Sequence, residues 1–223
     1  MITVHHLENS RSQRVLWLLE ELGLDYAIVR YARDPETLLA PPELRRVHPL
    51  GKSPVIVDGA LTIAESGAII EYLVDRHGSA LAPPAGSPER LRYTYWLHFA
   101  EGSAMPPLLL KLVFQRLATA PMPFFARPVA RRIAASVQQR LVDPQLVRQL
   151  DYLEGELAGQ DWFAGAAFSA ADVQMSFPVE AAAARAGLDA GRPRLWDWLQ
   201  RIHARPAYRR ALERGGPYQL LGE

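Results

Sequence analysis

The loop GKSPVIVDG, residues 51–59, places a proline and a lysine directly before a short run of β-forming residues. Pro54 has no backbone N–H to donate, so it is expected at a sheet edge, a strand start or a bulge. The Ser53–Pro54 bond is a candidate cis peptide; the alternative is an ordinary proline that begins an edge strand. A cis bond would turn the backbone of Val55 towards a groove where an extended peptide could pair with it. The Lys52 ammonium could hold a carboxylate there, or lie in solvent.

A second candidate group begins the third predicted helix, where Glu65 and Ser66 precede an apolar helical run. The first N–H groups of a helix have no partner inside it and the helix dipole is positive there, so this end fits a ligand carboxylate. The Ser66 hydroxyl could add a hydrogen bond, and Glu65 could face a ligand ammonium. Both residue types are common helix starters, so a structural role is the alternative.

The loop LENSRSQR, residues 7–14, connects the first predicted strand to the first helix, a position where α/β folds bind ligands. It offers three short polar side chains, Asn9, Ser10 and Ser12. A hydroxyl beside free helix N–H groups could stabilise a thiolate, because such contacts lower a thiol pKa from its ordinary value of about 8.5. For Ser10, a simple N-cap is the alternative. The chain has no GxSxG motif, so a serine hydrolase is not indicated.

These three groups together predict a single ligand. It would be extended and peptide-like, with a carboxylate at each end and an ammonium group, and its middle would lie against Val55. The chain has no cysteine, which excludes disulfides, cysteine–zinc sites and a thiol nucleophile of its own. Its six histidines have no metal-binding spacing, so no metal is expected.

The elements that must position these residues change character along the chain. Up to residue 78 their order is β-α-β, a connecting helix, and then a β-hairpin followed by a helix. This order predicts an α/β thioredoxin-like domain over residues 1–78, which would bind the ligand. Prolines and small residues predict a linker over residues 79–88. Residues 89–223 show helical patterns and no convincing strand, so we expect an all-α C-terminal domain.

Local signals in the second half predict where its helices begin and break. Pro106 and Pro107 predict a bend or break in one long helix, and Pro144 predicts a bend in the next. In FSAADV, Ser169 and Asp172 have the spacing of a capping box, which we interpret as structural.

Aromatic residues are concentrated in YTYWLHF, just after the linker. The helix that follows a linker would line the cleft between the domains, where pockets are common. We therefore expect a pocket for an apolar co-substrate here, with the candidate lining residues Tyr95, Phe99, Met105 and Phe114.

Composition and charge supply the remaining expectations. The chain has 223 residues, of which 49% are hydrophobic, so it can bury a core in one large domain or two small ones. Its net charge of +1 gives no sign of a nucleic-acid or membrane partner. No signal peptide is visible and no stretch approaches about 18 apolar residues, so we expect a soluble cytoplasmic protein.

From end to end, the chain resembles the cytosolic glutathione S-transferases, and is most similar to their fungal and bacterial serine-type group. The resemblance rests on three motifs in this order and spacing: SRSQRVLWLLEELGLDY, HPLGKSPVIVDGALTIAESGAIIEYLVDRHG and FSAADV. It implies the glutathione S-transferase fold, with a thioredoxin-like N-terminal domain and an all-helical C-terminal domain.

The resemblance also implies roles for the loop residues. Glutathione would be the ligand, bound as a co-substrate. Pro54, after Ser53, would be cis, and the backbone of Val55 would pair with the cysteinyl part. The γ-glutamyl end would lie at Glu65 and Ser66, and the glycyl carboxylate would meet Lys52.

Ser10 is the favoured thiolate stabiliser by this resemblance, with Asn9 and Ser12 as alternates. The absence of tyrosine from residues 1–25 sets the chain apart from the tyrosine-type classes, and the absence of cysteine argues against disulfide exchange. A homodimer is implied, in which Glu101 would reach the γ-glutamyl ammonium bound by the partner.

The implied activity is attack of the glutathione thiolate on a small hydrophobic electrophile, and a peroxidase side activity is compatible with the same site. The alternative is a non-catalytic glutathione-binding or regulatory protein of the same fold. The joint presence of Ser10, Lys52, Glu65 and Ser66 favours the enzyme.

Overall fold

The first half of the chain forms a four-stranded sheet with the strand order β2-β1-β3-β4 in the computed structural model, which describes residues 1–35, 37, 39–218 and 220. The strands are β1 (Ile2–Leu7), β2 (Tyr26–Tyr31), β3 (Val55–Asp58) and β4 (Leu61–Ala64). β1 is parallel to β2, and the β3–β4 hairpin is antiparallel, as the element order predicts. The alternative of an edge strand after Pro54 is wrong, because β4 occupies the edge and β3 lies inside the sheet.

Three helices accompany the sheet: α1 (Ser12–Glu21), α2 (Leu44–Val47) and α3 (Ser66–His77). Every residue from Ser12 to Leu19 is buried, including polar ones. This burial arises because α1 contacts β1 and α3 on one side and the helices of the second half on the other. The helix is therefore enclosed rather than amphipathic at a surface.

The second half is helical. A 3₁₀ turn at Ser79–Leu81 leads into α4 (Pro88–Phe99), α5 (Met105–Thr119), α6 (Arg127–Val137), α7 (Asp143–Glu156), α8 (Ala170–Arg185), α9 (Pro193–Ala204) and α10 (Pro206–Gly215). In the described residues beyond position 78, β-pairing is limited to one isolated bridge, Trp162 with Gly165. No helix in the described ranges is long and apolar enough to cross a membrane.

Two π-helical segments interrupt the long helices at the predicted positions. Ala100–Ala104 joins α4 to α5, and Gln138–Val142 joins α6 to α7. The prolines that follow lie in the first turn of α5 and of α7, directly after these helical segments. Their missing N–H groups cannot bond the carbonyls one turn earlier, and the Ser103 carbonyl accepts from the Gln149 side chain at 2.8 Å instead. The predicted interruptions are therefore confirmed, and they take the form of a widened turn.

The predicted capping box at the start of α8 is confirmed. The Asp172 carboxylate accepts hydrogen bonds from the backbone N–H of Ser169 at 3.0 Å and from that of Phe163 at 3.0 Å. It also accepts from the indole of Trp198 at 2.9 Å, so it joins α8 to α9. Asp172 is fully buried, which fits a structural role at the centre of the helical domain.

Candidate active site

A polar cavity of about 220 Å³ opens where β3 and α3 begin. It brings together five of the predicted binding residues, Lys52, Ser53, Pro54, Glu65 and Ser66. The remaining lining residues are Arg11, His48, Leu50, Ala64 and Glu101. Two loops of the first half, at residues 52–54 and at residues 65–66, therefore line the cavity together. Glu101, from the helical second half, completes its wall.

The Ser53–Pro54 peptide is cis, so that prediction is confirmed. The Ser53 hydroxyl donates to the backbone oxygen of His5 at 2.8 Å and accepts from the backbone N–H of Leu7 at 3.1 Å. These two bonds tie the loop to β1. Val55, the first residue of β3, is fully buried and pairs with His5 and Ala64. Its side chain is part of the core, and only the start of its strand adjoins the cavity.

Glu65 has an unusual backbone for a residue with a side chain, with φ 71° and ψ 124°. Non-glycine residues in this region are strained by about 1–3 kcal/mol and tend to occur at functional sites. Glu65 is exposed, whereas Ser66, the first residue of α3, is buried. The cavity is thus lined by both residues at the positive end of a three-turn helix.

The predicted thiolate-stabilising residues lie behind the cavity wall. Ser10 is 5% exposed, and its hydroxyl lies 2.7 Å from that of Ser12 and accepts from the Ser12 backbone N–H at 3.2 Å. Ser12 is fully buried; its hydroxyl lies 2.8 Å from Nδ1 of His6 and donates to the backbone oxygen of Leu7. Asn9 is half-buried, with a left-handed φ of 50°.

The hydroxyl groups of Ser10 and Ser12 and the imidazole of His6 form a buried row of polar contacts, and the imidazole is its uncharged innermost member. Burial lowers the pKa of His6 to about 4, from an ordinary value of 6.5, so the imidazole that contacts Ser12 is neutral at pH 7. The N-cap of α1 is Arg11, without a side-chain cap, so the N-cap alternative for Ser10 is wrong by one residue. The Ser10 hydroxyl instead accepts from the N–H of Ser12, two residues further on.

Arg11 and Glu101 are cavity residues that sequence reasoning did not bring together. Nε of Arg11 lies 3.0 Å from a carboxylate oxygen of Glu101, and Arg14 binds the same carboxylate. Arg14 is 1% exposed and also donates to the backbone oxygen of Gln174 at 2.6 Å. Burial lowers the pKa of Arg14, and Glu101 opposes that change. The contacts of Glu101 described by the structure lie within its own chain; the predicted contact across a dimer stays a prediction.

The four residues predicted to form the electrophile pocket do not come together. Tyr95 and Phe99 line a cavity of about 430 Å³ beside Tyr152. Met105 is buried in the core, and the half-buried Phe114 is not among the residues that line this cavity. The physical reason is the π-helical segment, whose wider turns change the rotation between the helix before it and the helix after it.

Phe177 is an apolar neighbour of the polar cavity that the sequence did not indicate. Its ring lies 5.5 Å from the guanidinium carbon of Arg11 and 5.7 Å from that of Arg14. Tyr218 lies behind it, at 6.5 Å between ring centroids. Phe177 is 8% exposed and lies beneath both guanidinium groups, so only a small part of its ring is open to a molecule beside the cavity.

Comparison with known proteins places this architecture in one family. The model of the glutathione S-transferase N-terminal domain matches residues 10–76, and that of the C-terminal domain matches residues 114–201. Glutathione S-transferase 3 of Schizosaccharomyces pombe is 37% identical, over 96% of this chain and 88% of its own length. Glutathione S-transferase 1 of Saccharomyces cerevisiae is 33% identical, over 96% and 95%.

Solved structures agree. A glutathione S-transferase from Actinobacillus pleuropneumoniae superposes with a TM-score of 0.79 at 32% identity, covering 100% of this chain and 97% of its own. A sphingomonad glutathione S-transferase complexed with glutathione gives a TM-score of 0.72 at 26% identity, over 96% and 98%. The chain belongs to the glutathione S-transferase family. The predicted fold class and family are confirmed.

Proposed function

We propose that this protein is a glutathione transferase that binds glutathione in the polar cavity and directs its thiolate at an apolar electrophile. The observation that carries the proposal is the meeting of Lys52, Glu65 and Ser66 in one cavity beside the start of β3. These residues supply a cation, an anion and a helix N-terminus, which are the partners that a dicarboxylate tripeptide with one ammonium requires.

The charges of the cavity match those of glutathione group by group. The Lys52 ammonium meets the glycyl carboxylate as a point charge. The γ-glutamyl carboxylate accepts from the free N–H groups at the start of α3 and from the Ser66 hydroxyl. Its ammonium lies near Glu65 or Glu101, both of which line the cavity. The cysteinyl part lies along Pro54 and the backbone of Val55.

The thiol of a ligand held this way points towards the loop that ends β1. Ser10 and Asn9 remain the candidates for a hydrogen bond to the thiolate. Ser12 is the weaker alternate, because its hydroxyl is enclosed and already engaged by His6 and Leu7. Arg11 lines the cavity and adds a positive charge, and a nearby cation lowers a thiol pKa.

The reaction that follows is a nucleophilic attack. The thiol loses its proton to solvent, the sulfur lone pair forms a carbon–sulfur bond, and the electrophile expels a leaving group or takes the electron pair into a conjugated carbonyl. The enzyme contributes a thiolate at neutral pH and a fixed approach of the two reactants. We place the apolar reactant against Phe177, since that ring adjoins Arg11.

Calorimetry with glutathione, run together with conjugation assays on an activated aryl chloride, an enone and organic peroxides, tests the proposal. We expect saturable binding and turnover of at least one electrophile. Binding without turnover on any of them would favour the non-catalytic alternative, and the absence of binding would overturn both. The proposal also includes a homodimeric assembly, which light scattering measures directly. It further includes action in the cytoplasm.

A further inference from the structure

The hairpin of α5 and α6, from Met105 to Val142 with the π-helical segment that follows α6, carries a charge distribution unlike the rest of the chain. It holds six of the 25 basic residues and none of the 24 acidic ones. The rest of the chain therefore has 19 basic against 24 acidic residues. The hairpin therefore has a net charge of +6 and the remaining residues a net charge of −5. Because the two nearly cancel, the net charge of the whole chain gives no sign of an anionic partner.

The arginines of the hairpin are available to a partner. Arg116, Arg127, Arg131 and Arg132 are all exposed. Within the described ranges none of them forms an ion pair, although Arg127 donates to the backbone oxygen of Met122. Lys111, by contrast, is bound to Asp143 at 2.7 Å. Arg140 is exposed as well, so five arginines project from the hairpin without a described ion pair.

Apolar side chains are exposed on the same hairpin. Phe124 and Phe125, in the loop between the helices, are 82% and 69% exposed, with ring centroids 5.7 Å apart. The five other phenylalanines of the chain are buried or half-buried. Two adjacent solvated phenylalanines at a loop tip have no role in the core, so a partner surface must explain them.

The helices continue this apolar surface. On α5, Leu109, Val113 and Leu117 are exposed at a spacing of four residues, which places them along one face. On α6, Val129 and Ile133 are 59% and 51% exposed, while Ala134 is the buried residue through which the helix packs. α6 therefore exposes two large apolar side chains, Val129 and Ile133, beside three exposed arginines, while Val137 packs against the core.

We propose that the α5–α6 hairpin is a peripheral docking surface for an anionic lipid membrane. Basic residues interleaved with exposed Phe, Leu, Val and Ile satisfy both parts of such a surface, because the arginines meet anionic headgroups while the apolar side chains enter the boundary of the acyl chains. A second copy of the chain is a poorer occupant, since a two-fold contact through this hairpin would set +6 against +6. A nucleic acid would leave the aliphatic side chains without a partner.

Co-sedimentation of the full chain with vesicles tests this. We expect the protein to pellet with vesicles of phosphatidylcholine and phosphatidylserine, to remain in solution with phosphatidylcholine alone, and to be released by added salt. The variant Phe124→Ser/Phe125→Ser should bind at least about tenfold more weakly. The variant Arg131→Glu/Arg132→Glu should lose about fivefold for each arginine removed.

Matched controls lie elsewhere on the surface. Leu91→Ser changes an exposed leucine of α4, and Arg45→Glu/Arg46→Glu changes an adjacent exposed pair on α2; neither should alter vesicle binding. Far-UV circular dichroism and urea unfolding verify that each variant is folded. The proposal would be overturned if the protein pelleted with neither kind of vesicle. It would also be overturned if the arginine variant lost vesicle binding while the phenylalanine variant kept it. A change in oligomeric state without a change in vesicle binding would reassign the surface to contact between copies.

Discussion

The buried guanidinium of Arg14 binds the carboxylate of Glu101, and the two residues come from different halves of the chain. Arg14 lies on α1 beneath the sheet, and Glu101 lies in the π-helical segment between α4 and α5. Glu101 also binds Arg11 and lines the polar cavity. One carboxylate therefore contributes to the cavity wall and to the interface between the halves, so occupancy of the cavity and packing of the two halves are physically connected.

Lys52 and Lys111 are the two lysines of the chain, and they form a natural test pair. Lys52→Ala should raise the Kd for glutathione about tenfold, because it removes a charged partner of the glycyl carboxylate. Lys111→Ala should leave the Kd unchanged, since Lys111 binds Asp143 on α7. Calorimetry measures both. Equal effects of the two changes would contradict the assigned position of the glycyl end.

Ser10→Ala should raise the pKa of the bound glutathione thiol by about 1, the equivalent of one lost hydrogen bond, while leaving affinity nearly intact. Thiolate absorbance against pH measures this directly. Ser12→Ala is the matched comparison, and it should mainly reduce stability because Ser12 is fully buried. A thiol titration unchanged by Ser10→Ala would move the role to Asn9 or Ser12.

Stability should fall on mild acidification because of His6. Its folded pKa of about 4 lies below the ordinary value of 6.5, so the unfolded chain binds the proton more strongly. The neutral His6 contributes its full stabilisation above about pH 6.5, and this stabilisation is lost as the pH falls towards 4. The loss reaches about 2 kcal/mol at pH 5. Urea unfolding at pH 7 and pH 5 measures it. His6→Gln should flatten this dependence; a slope equal to that of the unmodified chain would assign it to other groups.

Asp172→Asn should lower the free energy of unfolding by about 3 kcal/mol, because an amide cannot accept the bonds that both carboxylate oxygens now accept from Phe163, Trp198 and Ser169. Asp151→Asn breaks an exposed ion pair with Arg192 and should change it by less than about 1 kcal/mol. Urea midpoints compare the two. Loss of turnover in Asp172→Asn without loss of stability would argue against its structural role.

Sequence patterns predicted the features that depend on a few neighbouring residues. The capping box of Ser169 and Asp172, the start of α3 at Ser66 and the helix interruptions at proline are all local, because each is decided within one turn of chain. For Pro54, local sequence left two alternatives, a cis bond and an ordinary proline at the head of an edge strand, and the bond is cis.

Features that depend on long-range packing were not predicted. The pairing of Arg14 with Glu101 spans 87 residues and follows from the way α1 is enclosed by the second half. Tyr95 and Met105 were expected in one pocket because their helix follows the linker, but the position of a helix does not determine which of its side chains face a cleft, and Met105 lies in the core. The excess of basic residues on the α5–α6 hairpin is not visible in the net charge of the second half, because acidic residues elsewhere in that half offset part of it.

The π-helical segment Ala100–Ala104 also has an evolutionary consequence. A π-helical turn accommodates one inserted residue within a single turn of helix, so deletion of one residue here could restore regular α-helix while α5 keeps nearly its direction against α4. Winding the same residues as regular α-helix would instead rotate α5 by about 100°. We therefore expect relatives that lack one residue in this stretch to retain the packing of α5.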